Sequence, residues 1–410
     1  MKKLFCTILF SPLLIFASFN ATIIDNTTLQ PIINAVVCNA NQDTISDANG
    51  SFSLDSNDTT ILHIKAHGYR PLEFKATTKN RLFKLEAIKV KALYLTFWGA
   101  SNNSRTLKNL LHIIKHTQAN AIAVDVKNEY GSTSFLTSFK QANSYGAQKN
   151  RTNRNIQKFI QTMRDKNIYT IARIVTFKDE IQASHNPKYA IKRDDNGSIW
   201  RNHDSMAWVD PFDRRSHKYT IAIAKEAAKV GFDEINFDYI RFPAKSGLKY
   251  SKENTRENRI NAIETFLDSA KTELQPYGTF ISVNAYGNIL WGHKDDDNNI
   301  GQTLESLALH SDYVAPMLYP SGFAAGSFQH KYPADHPYAV IYRSLNNIKD
   351  RVDIRRVRPW LQYFRDYKSK KRPYQRYEIQ EQIRPTKELR TNGWMMWSPS
   401  SKYNIGYILP

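Results

Sequence analysis

The sequence predicts an α/β protein, a (β/α)8 (TIM) barrel preceded by a small N-terminal β-sandwich domain. Three observations lead there. Beyond about residue 92, short apolar runs rich in β-branched residues alternate with long helix-like stretches. Eight such alternations over roughly 320 residues meet the requirement of a closed parallel barrel. No glycine-rich phosphate loop follows the first run, which weakens the competing reading of a doubly wound open sheet. The preceding segment, about residues 22–85, is different in kind: short, rich in Thr, Asn and Asp, and alternating apolar with polar residues.

The start of the chain reads as a leader. Lys2 and Lys3 precede an apolar run from Leu4 to Phe16, and small Ala17 and Ser18 follow. That is the pattern of a secretory signal peptide, and the run is too short for an ordinary membrane span. An uncleaved anchor is the alternative, because Phe19 and Asn20 spoil a clean cleavage site. The expected divisions are therefore 1–19 leader, 20–88 sandwich and 89–410 barrel. No later segment is apolar enough to span a bilayer. The expected location is the periplasm or cell envelope of a bacterium.

Only Cys6 and Cys38 occur, so loss of the leader leaves Cys38 without an intramolecular partner. Its apolar neighbours Ala35, Val36 and Val37 mark it as a buried thiol. The formal net charge of +19 favours anionic partners. Export argues against nucleic acid and toward anionic envelope polysaccharide, with simple solubility as the plain alternative.

In the N-terminal segment, Ile32-Asn34-Val36, Phe52-Leu54 and Ile61–Ala66 fit strands, and Asp47-Ala-Asn-Gly50 fits a turn. The stretch resembles the carboxypeptidase regulatory-like (transthyretin-like) domain. The matching residues are Leu29–Ile32, Ala35-Val36, Ser46–Phe52 and Gly68-Tyr69. The resemblance implies an accessory unit without chemistry.

The barrel strands are expected at Ala92–Phe97, Ala121–Val126, Tyr169–Val175, Glu234–Asp238, Phe280–Ala285, Asp312–Met317, Val357–Gln362 and Trp394–Trp397. Helices are expected at Arg105–His116, Asn153–Lys166, Ser216–Val230, Asn258–Leu274 and Tyr377–Thr391. The fourth strand lies in the most informative segment, Gly231-Phe-Asp-Glu-Ile-Asn-Phe-Asp-Tyr-Ile-Arg-Phe-Pro243. Period-two alternation sends Ile235, Phe237 and Tyr239 outward and leaves Glu234, Asn236 and Asp238 facing the interior. Three polar groups inside a strand are costly unless paired. A buried network ending in Asp238 at the mouth follows, with Glu234 and Asn236 as support. Arg241 comes next, on the loop.

Parity likewise turns Ala121, Ala123, Asp125 and Lys127 of the second strand inward, and Arg173 on the third sits between apolar neighbours. An arginine beside two inward carboxylates keeps one of them ionised. Asp210, in Trp208-Val-Asp-Pro-Phe212, reads either as a helix N-cap or as an active-site loop residue, and Trp200 and Trp208 as a sugar platform. Later strand ends bring Asn284, Tyr319, Trp360, Gln362 and Trp397 to the same mouth. Flat apolar faces mixed with carboxylates, arginine and amides are what a carbohydrate cleft needs.

From about Lys91 to Tyr403 the chain resembles a family of bacterial glycoside hydrolase barrels. The matching stretches include Val124-Asp-Val-Lys127, Ile171–Asp179, Trp208–Phe212, Gly231–Pro243, Pro316–Ser321, Arg358–Gln362 and Gly393-Trp394. One departure stands out: where the family tends to carry Ser-x-Asp on the fifth strand, this chain has Ser282-Val283-Asn284.

The resemblance implies hydrolysis of glycosidic bonds by a pair of carboxyl groups. Asp238 is the first candidate, and its partner is Asp125 or Asp210, in that order. Arg173, Trp208, Arg241, Asn284, Tyr319, Trp360, Gln362 and Trp397 are the candidate substrate-binding residues. No metal or nucleotide motif is visible, so no cofactor is expected. The alternative function is a non-catalytic polysaccharide-binding protein of the envelope that uses Asp238 structurally.

Overall fold

The computed structural model describes residues 17–56, 60–77 and 81–409. Most of the expected leader, residues 1–16, therefore lies outside the described residues.

Two small sheets form the N-terminal unit. One has three strands in the order Ser51–Ser56, Ala17–Asp25, Leu82–Leu85; the other has four, in the order Asp43–Ile45, Val36–Cys38, Ile61–Lys65, Leu72–Lys75. Apolar residues from both sheets, including Phe19, Ile23, Phe52, Leu62, Ile64 and Phe83, make one core. The first strand starts at Ala17, inside the stretch assigned to the leader, and Phe19 packs in that core. The Asp47–Gly50 turn forms as the sequence suggests. Gly50 adopts φ +73°, and a Cβ there would lie 2.3 Å from the Ile23 carbonyl oxygen, so only glycine fits.

Eight parallel strands close the barrel: β1 Val90–Leu95, β2 Ala121–Lys127, β3 Tyr169–Val175, β4 Glu234–Asp238, β5 Phe280–Tyr286, β6 Tyr313–Leu318, β7 Trp360–Gln362 and β8 Gly393–Trp397. Each pairs with its sequence neighbours, and β8 closes on β1. Outward residues such as Ile122, Val124, Ile235, Phe237 and Val283 join the helix-facing core. Inward residues such as Ala92, Ala123, Ile171, Ala315, Trp360 and Met395 fill the barrel as a separate cluster. Strand β7 is shorter than its apolar run, because Pro359 has no N–H for the ladder.

The helices lie close to the expected stretches, at Arg105–His116, Ile156–Asp165, Arg214–Val230, Arg256–Leu274 and Arg376–Glu388. Ser104 caps the first by accepting from the Leu107 N–H. Asp213, rather than Asp210, caps the third.

The N-terminal unit docks on the base of the barrel, opposite the mouth. Lys65 Nζ is 2.9 Å from Asp312, the Gly68 N–H donates to the Tyr313 hydroxyl at 2.9 Å, and the His67 ring packs on Phe280 and Tyr313. Burial opposes ionisation of Asp312, but Lys65 and His67 outweigh it and hold the carboxyl well below its usual range.

Candidate active site

The barrel interior is polar in three levels. At the base, Glu234 accepts two bonds from Arg358 Nη1, at 2.9 and 2.8 Å, and a third from the Tyr169 hydroxyl at 3.0 Å. Glu234 and Arg358 are both fully buried, and neither faces a cavity. In the middle, Asn236 Nδ2 donates to Ser282 Oγ at 2.8 Å and to Asn284 Oδ1 at 2.9 Å. Trp360 Nε1 donates to the same Asn284 oxygen at 2.7 Å. Two N–H donors on one atom settle which end of the Asn284 amide is oxygen. Asn284 also lines the cavity above this level. The Asn of Ser282-Val283-Asn284 is thus tied into the buried network through its side-chain oxygen.

At the mouth, one guanidinium organises three carboxylates. Arg173 Nη1 donates to Asp125 at 2.6 Å, Nη2 lies 2.6 Å from Asp238, and Nη2 also donates to Glu129 at 2.9 Å. Strands β3 and β4 are in register with Val175 opposite Asp238, so Arg173 reaches Asp238 from one inward position below it. The guanidinium lies over the Trp397 ring, 4.9 Å from its centroid, and Trp397 stacks on Tyr94 at 3.9 Å. The Tyr94 hydroxyl donates to Asp125 at 2.5 Å.

A cavity of about 190 Å³ opens above this cluster, lined by Glu129, Asp238, Arg173, Tyr239, Arg241, Asn284, Met317, Tyr319 and Trp397. Asp125 is not among its walls. It lies 3% exposed beneath Arg173, while the Glu129 side chain is 28% exposed. The carboxylate that faces Asp238 across the cavity is thus Glu129, which inspection of the strands did not single out.

The local fold explains how Glu129 arrives. The β2–β3 pairing shifts register after Arg173, so Lys127 meets Ile174 and buries its ammonium 2.8 Å from Asp179. Lys127 is therefore an anchor for the loop instead of a mouth residue. The chain then turns at Asn128-Glu129-Tyr130-Gly131, with the Gly131 N–H on the Asn128 carbonyl at 3.0 Å. Gly131 has φ +92°, and a Cβ there would fall 2.1 Å from Asp179 Oδ1. This tight turn brings Glu129 back over the barrel.

Tyr239 corrects a second expectation. Its φ of +48° breaks the strand alternation, so it lines the cavity while packing only at the margin of the helix-facing core that holds Ile235 and Phe237. Such a conformation is strained in a non-glycine residue and clusters at functional sites. The Tyr239 N–H donates to Asp238 Oδ1 at 2.7 Å, which fixes that carboxylate.

Electrostatics separate the acids. Burial pushes Asp125 up to about 6, despite Arg173. Burial also works against Glu129, yet the Arg173 charge and hydrogen bond hold it below the usual carboxylate range. Burial pushes Tyr239 up to about 12 and Tyr319 well above its ordinary value, so both hydroxyls keep their protons. Arg241 is pushed down by burial.

Four other sequence candidates lie outside the cavity. Asp210 is taken up by the backbone N–H groups of Phe212 and Ser251, at 2.9 and 2.6 Å, and holds two loops together. Gln362 is bound to the Ser321 N–H and hydroxyl and accepts no role at the mouth. Trp360 is fully buried as the floor beneath Asn284. Trp208, 2% exposed, supports Arg241, whose guanidinium lies 5.2 Å from its ring centroid, and is not itself a sugar platform.

Among the described residues, no group of three or more His, Cys, Asp or Glu is arranged to hold a metal ion. No helix among them is long and apolar enough to cross a membrane. The largest cleft, about 1350 Å³, lies between the N-terminal unit and the base of the barrel, remote from the carboxylate cluster.

A closed barrel with acids at the C-terminal end of its strands is the arrangement found in barrel-fold hydrolases of sugars. Residues 92–403 match the family described as "Putative glycosyl hydrolase domain", and the chain belongs to that family. A hypothetical protein from Ruminiclostridium thermocellum is 34% identical over 47% of this chain and 96% of its own, with a TM-score of 0.41. The glycoside hydrolase domain of PgaB (BpsB) from Bordetella bronchiseptica shares the fold at 12% identity and TM-score 0.53, covering 77% of this chain and 95% of that one. Alpha-L-fucosidase isoenzyme 2 from Paenibacillus thiaminolyticus does so at 13% identity and TM-score 0.52, covering 78% and 48%. Among curated proteins none matches this chain.

Proposed function

We propose that this protein hydrolyses a bacterial envelope or extracellular polysaccharide, with Asp238 and Glu129 as the reacting carboxyl groups. One observation carries the reading: Arg173 holds both acids at the wall of one cavity, at the barrel mouth. Asp238 is fixed by Arg173 and by the Tyr239 N–H, which suits the group that meets the sugar carbon or activates water. Glu129 rides on a loop and is more exposed, which suits proton exchange with the leaving oxygen. Arg173 keeps Glu129 ionised at rest; when the incoming sugar draws it off the guanidinium its proton affinity rises, it takes a proton from solvent, and it passes that proton to the leaving oxygen. Asp125 positions Arg173 from behind.

A long substrate fits the surface around the cavity. Trp98, Tyr130, Tyr286, Trp291, Tyr332 and Tyr367 are exposed, and each lies at or beyond the C-terminal end of a barrel strand. Rings spread over that face offer stacking positions for successive sugars. The basic leader-like start and the location it implies make an exported enzyme the working assignment. The N-terminal unit, which we read as a carboxypeptidase regulatory-like domain, supports the base of the barrel.

Incubation of the full chain with a panel of bacterial polysaccharides, followed by mass analysis of released sugars, tests the proposal. Release of defined oligosaccharides supports it. Tight binding to a polysaccharide without release identifies a binding protein instead.

A further inference from the structure

Beside the mouth cavity lies a second hollow of about 600 Å³, with Lys178, Trp200, Arg201, Trp208, Lys245 and Asp204 among its walls. Tyr239 and Arg241 line both, so the two spaces adjoin. Two of its cations are already occupied: Arg201 pairs with Glu180 at 2.7 Å and Lys178 with Asp204 at 3.0 Å. Arg241 and Lys245 are not. The Arg241 guanidinium donates to the Phe242 carbonyl at 3.1 Å and otherwise lies between the rings of Trp208 and Tyr239, 5.2 and 5.4 Å from their centroids. Neither Arg241 nor Lys245 has a carboxylate partner among the described residues.

A half-buried guanidinium without a counter-ion is costly, and aromatic faces repay only part of that cost. A ligand anion would supply the rest. The planar fork of arginine matches a carboxylate or a phosphate, and an exposed lysine nearby adds a second charge. The mouth cavity is balanced in charge, with Asp238 and Glu129 lining it beside Arg173 and Arg241, whereas cations outnumber the single carboxylate around the second hollow. An anion is favoured there over the mouth.

We infer that the hollow around Arg241 and Lys245 is a subsite for an anionic group, a carboxylate or a phosphate, carried on the sugar next to the one held at Asp238. This rests on the glycosidase reading and narrows its substrate class to acidic polysaccharides. Half-buried Trp200, 6.3 Å from Trp208, offers a face for that sugar ring.

The test is calorimetric binding to the full chain carrying Asp238→Asn, so that no probe is consumed. One pair of probes is an oligogalacturonate and its carboxyl-reduced neutral form. The other is an oligosaccharide bearing mannose 6-phosphate and its dephosphorylated form. At least one charged probe is expected to bind about tenfold or more tightly than its neutral partner. The pair showing the preference tells carboxylate from phosphate. Arg241→Gln should abolish the preference, Arg241→Lys should keep part of it, and Lys245→Gln, at an exposed position, should reduce it without affecting folding. Equal affinity for charged and neutral probes, no binding of either charged probe, or a preference that survives both glutamine variants overturns the inference. Hydrolysis is read separately, so a wild type that cleaves only neutral glycans sinks this subsite and leaves the glycosidase reading standing. A charge preference without cleavage does the reverse.

Discussion

Glu129 and Asp238 share one nitrogen: Nη2 of Arg173 lies 2.9 Å from the first and 2.6 Å from the second. The two acids come from different elements, a turn after β2 and the end of β4, and among the described residues that guanidinium joins them at the cavity wall. The proposed chemistry of the mouth and its stability both depend on this arrangement.

Replacing Arg173 with Gln leaves Asp125, Asp238 and Glu129 without their cation. Removing one partner of a buried ion pair costs roughly 3–5 kcal/mol. Urea unfolding at pH 7 should show a loss of that order. Acidification should restore part of it, because protonation relieves the stranded carboxylates. A variant as stable as the parent at pH 7 would mean that the cluster is held by something else.

Asp125 makes the wild type itself pH-dependent. Its folded value of about 6 lies above the ordinary carboxyl value, so the stabilising form is the protonated one. The contribution is fully present below the ordinary value, near pH 4, and is lost as pH rises through about 6. Two units correspond to about 2–3 kcal/mol. Asp125→Asn should therefore flatten the stability profile between pH 4 and 7 relative to the parent, by urea midpoints. Parallel profiles would contradict the assignment.

The base of the barrel should behave differently from the mouth. Glu234→Gln breaks the pair with Arg358 while leaving the cavity wall intact. We expect a loss of about 3 kcal/mol or more in unfolding free energy. Turnover per folded molecule should stay within a few fold. A large drop in turnover with little change in stability would move Glu234 into the chemistry.

Much of this was legible in the sequence because a strand repeats every two residues. Parity placed Asp238, Asp125 and Glu234 inside the barrel, and they are there together with Arg173, which the sequence marks as a charge between apolar neighbours. What parity cannot describe is a break in the strand. The register shift at Arg173/Ile174 redirected Lys127 to Asp179, and the left-handed Tyr239 came to line the cavity. Glu129 was missed because it sits on a loop. A Gly two residues later was its only local signal, and the close approach to Asp179 that requires this Gly spans 48 positions. Asp210 and Gln362 looked like mouth residues, yet their polar atoms are absorbed by Ser251, Phe212 and Ser321, partners that only the folded loops reveal.

Roles within the pair are separable with activated substrates. A leaving group that needs no proton bypasses the acid but not the other carboxylate. On an aryl glycoside of the released sugar, Glu129→Gln should retain rates within about tenfold of the parent, against a loss of roughly 10²–10⁴ on polysaccharide. Equal losses on both substrates would assign Glu129 a different role.

The most direct test of the central claim is the rate of sugar release by Asp238→Asn on a polysaccharide that the parent cleaves, with folding checked by thermal melting. The account requires a fall of at least about 10³-fold in a variant that still melts cooperatively above the assay temperature. Release at the parental rate would show that Asp238, and with it the pair held by Arg173, does not perform the hydrolysis.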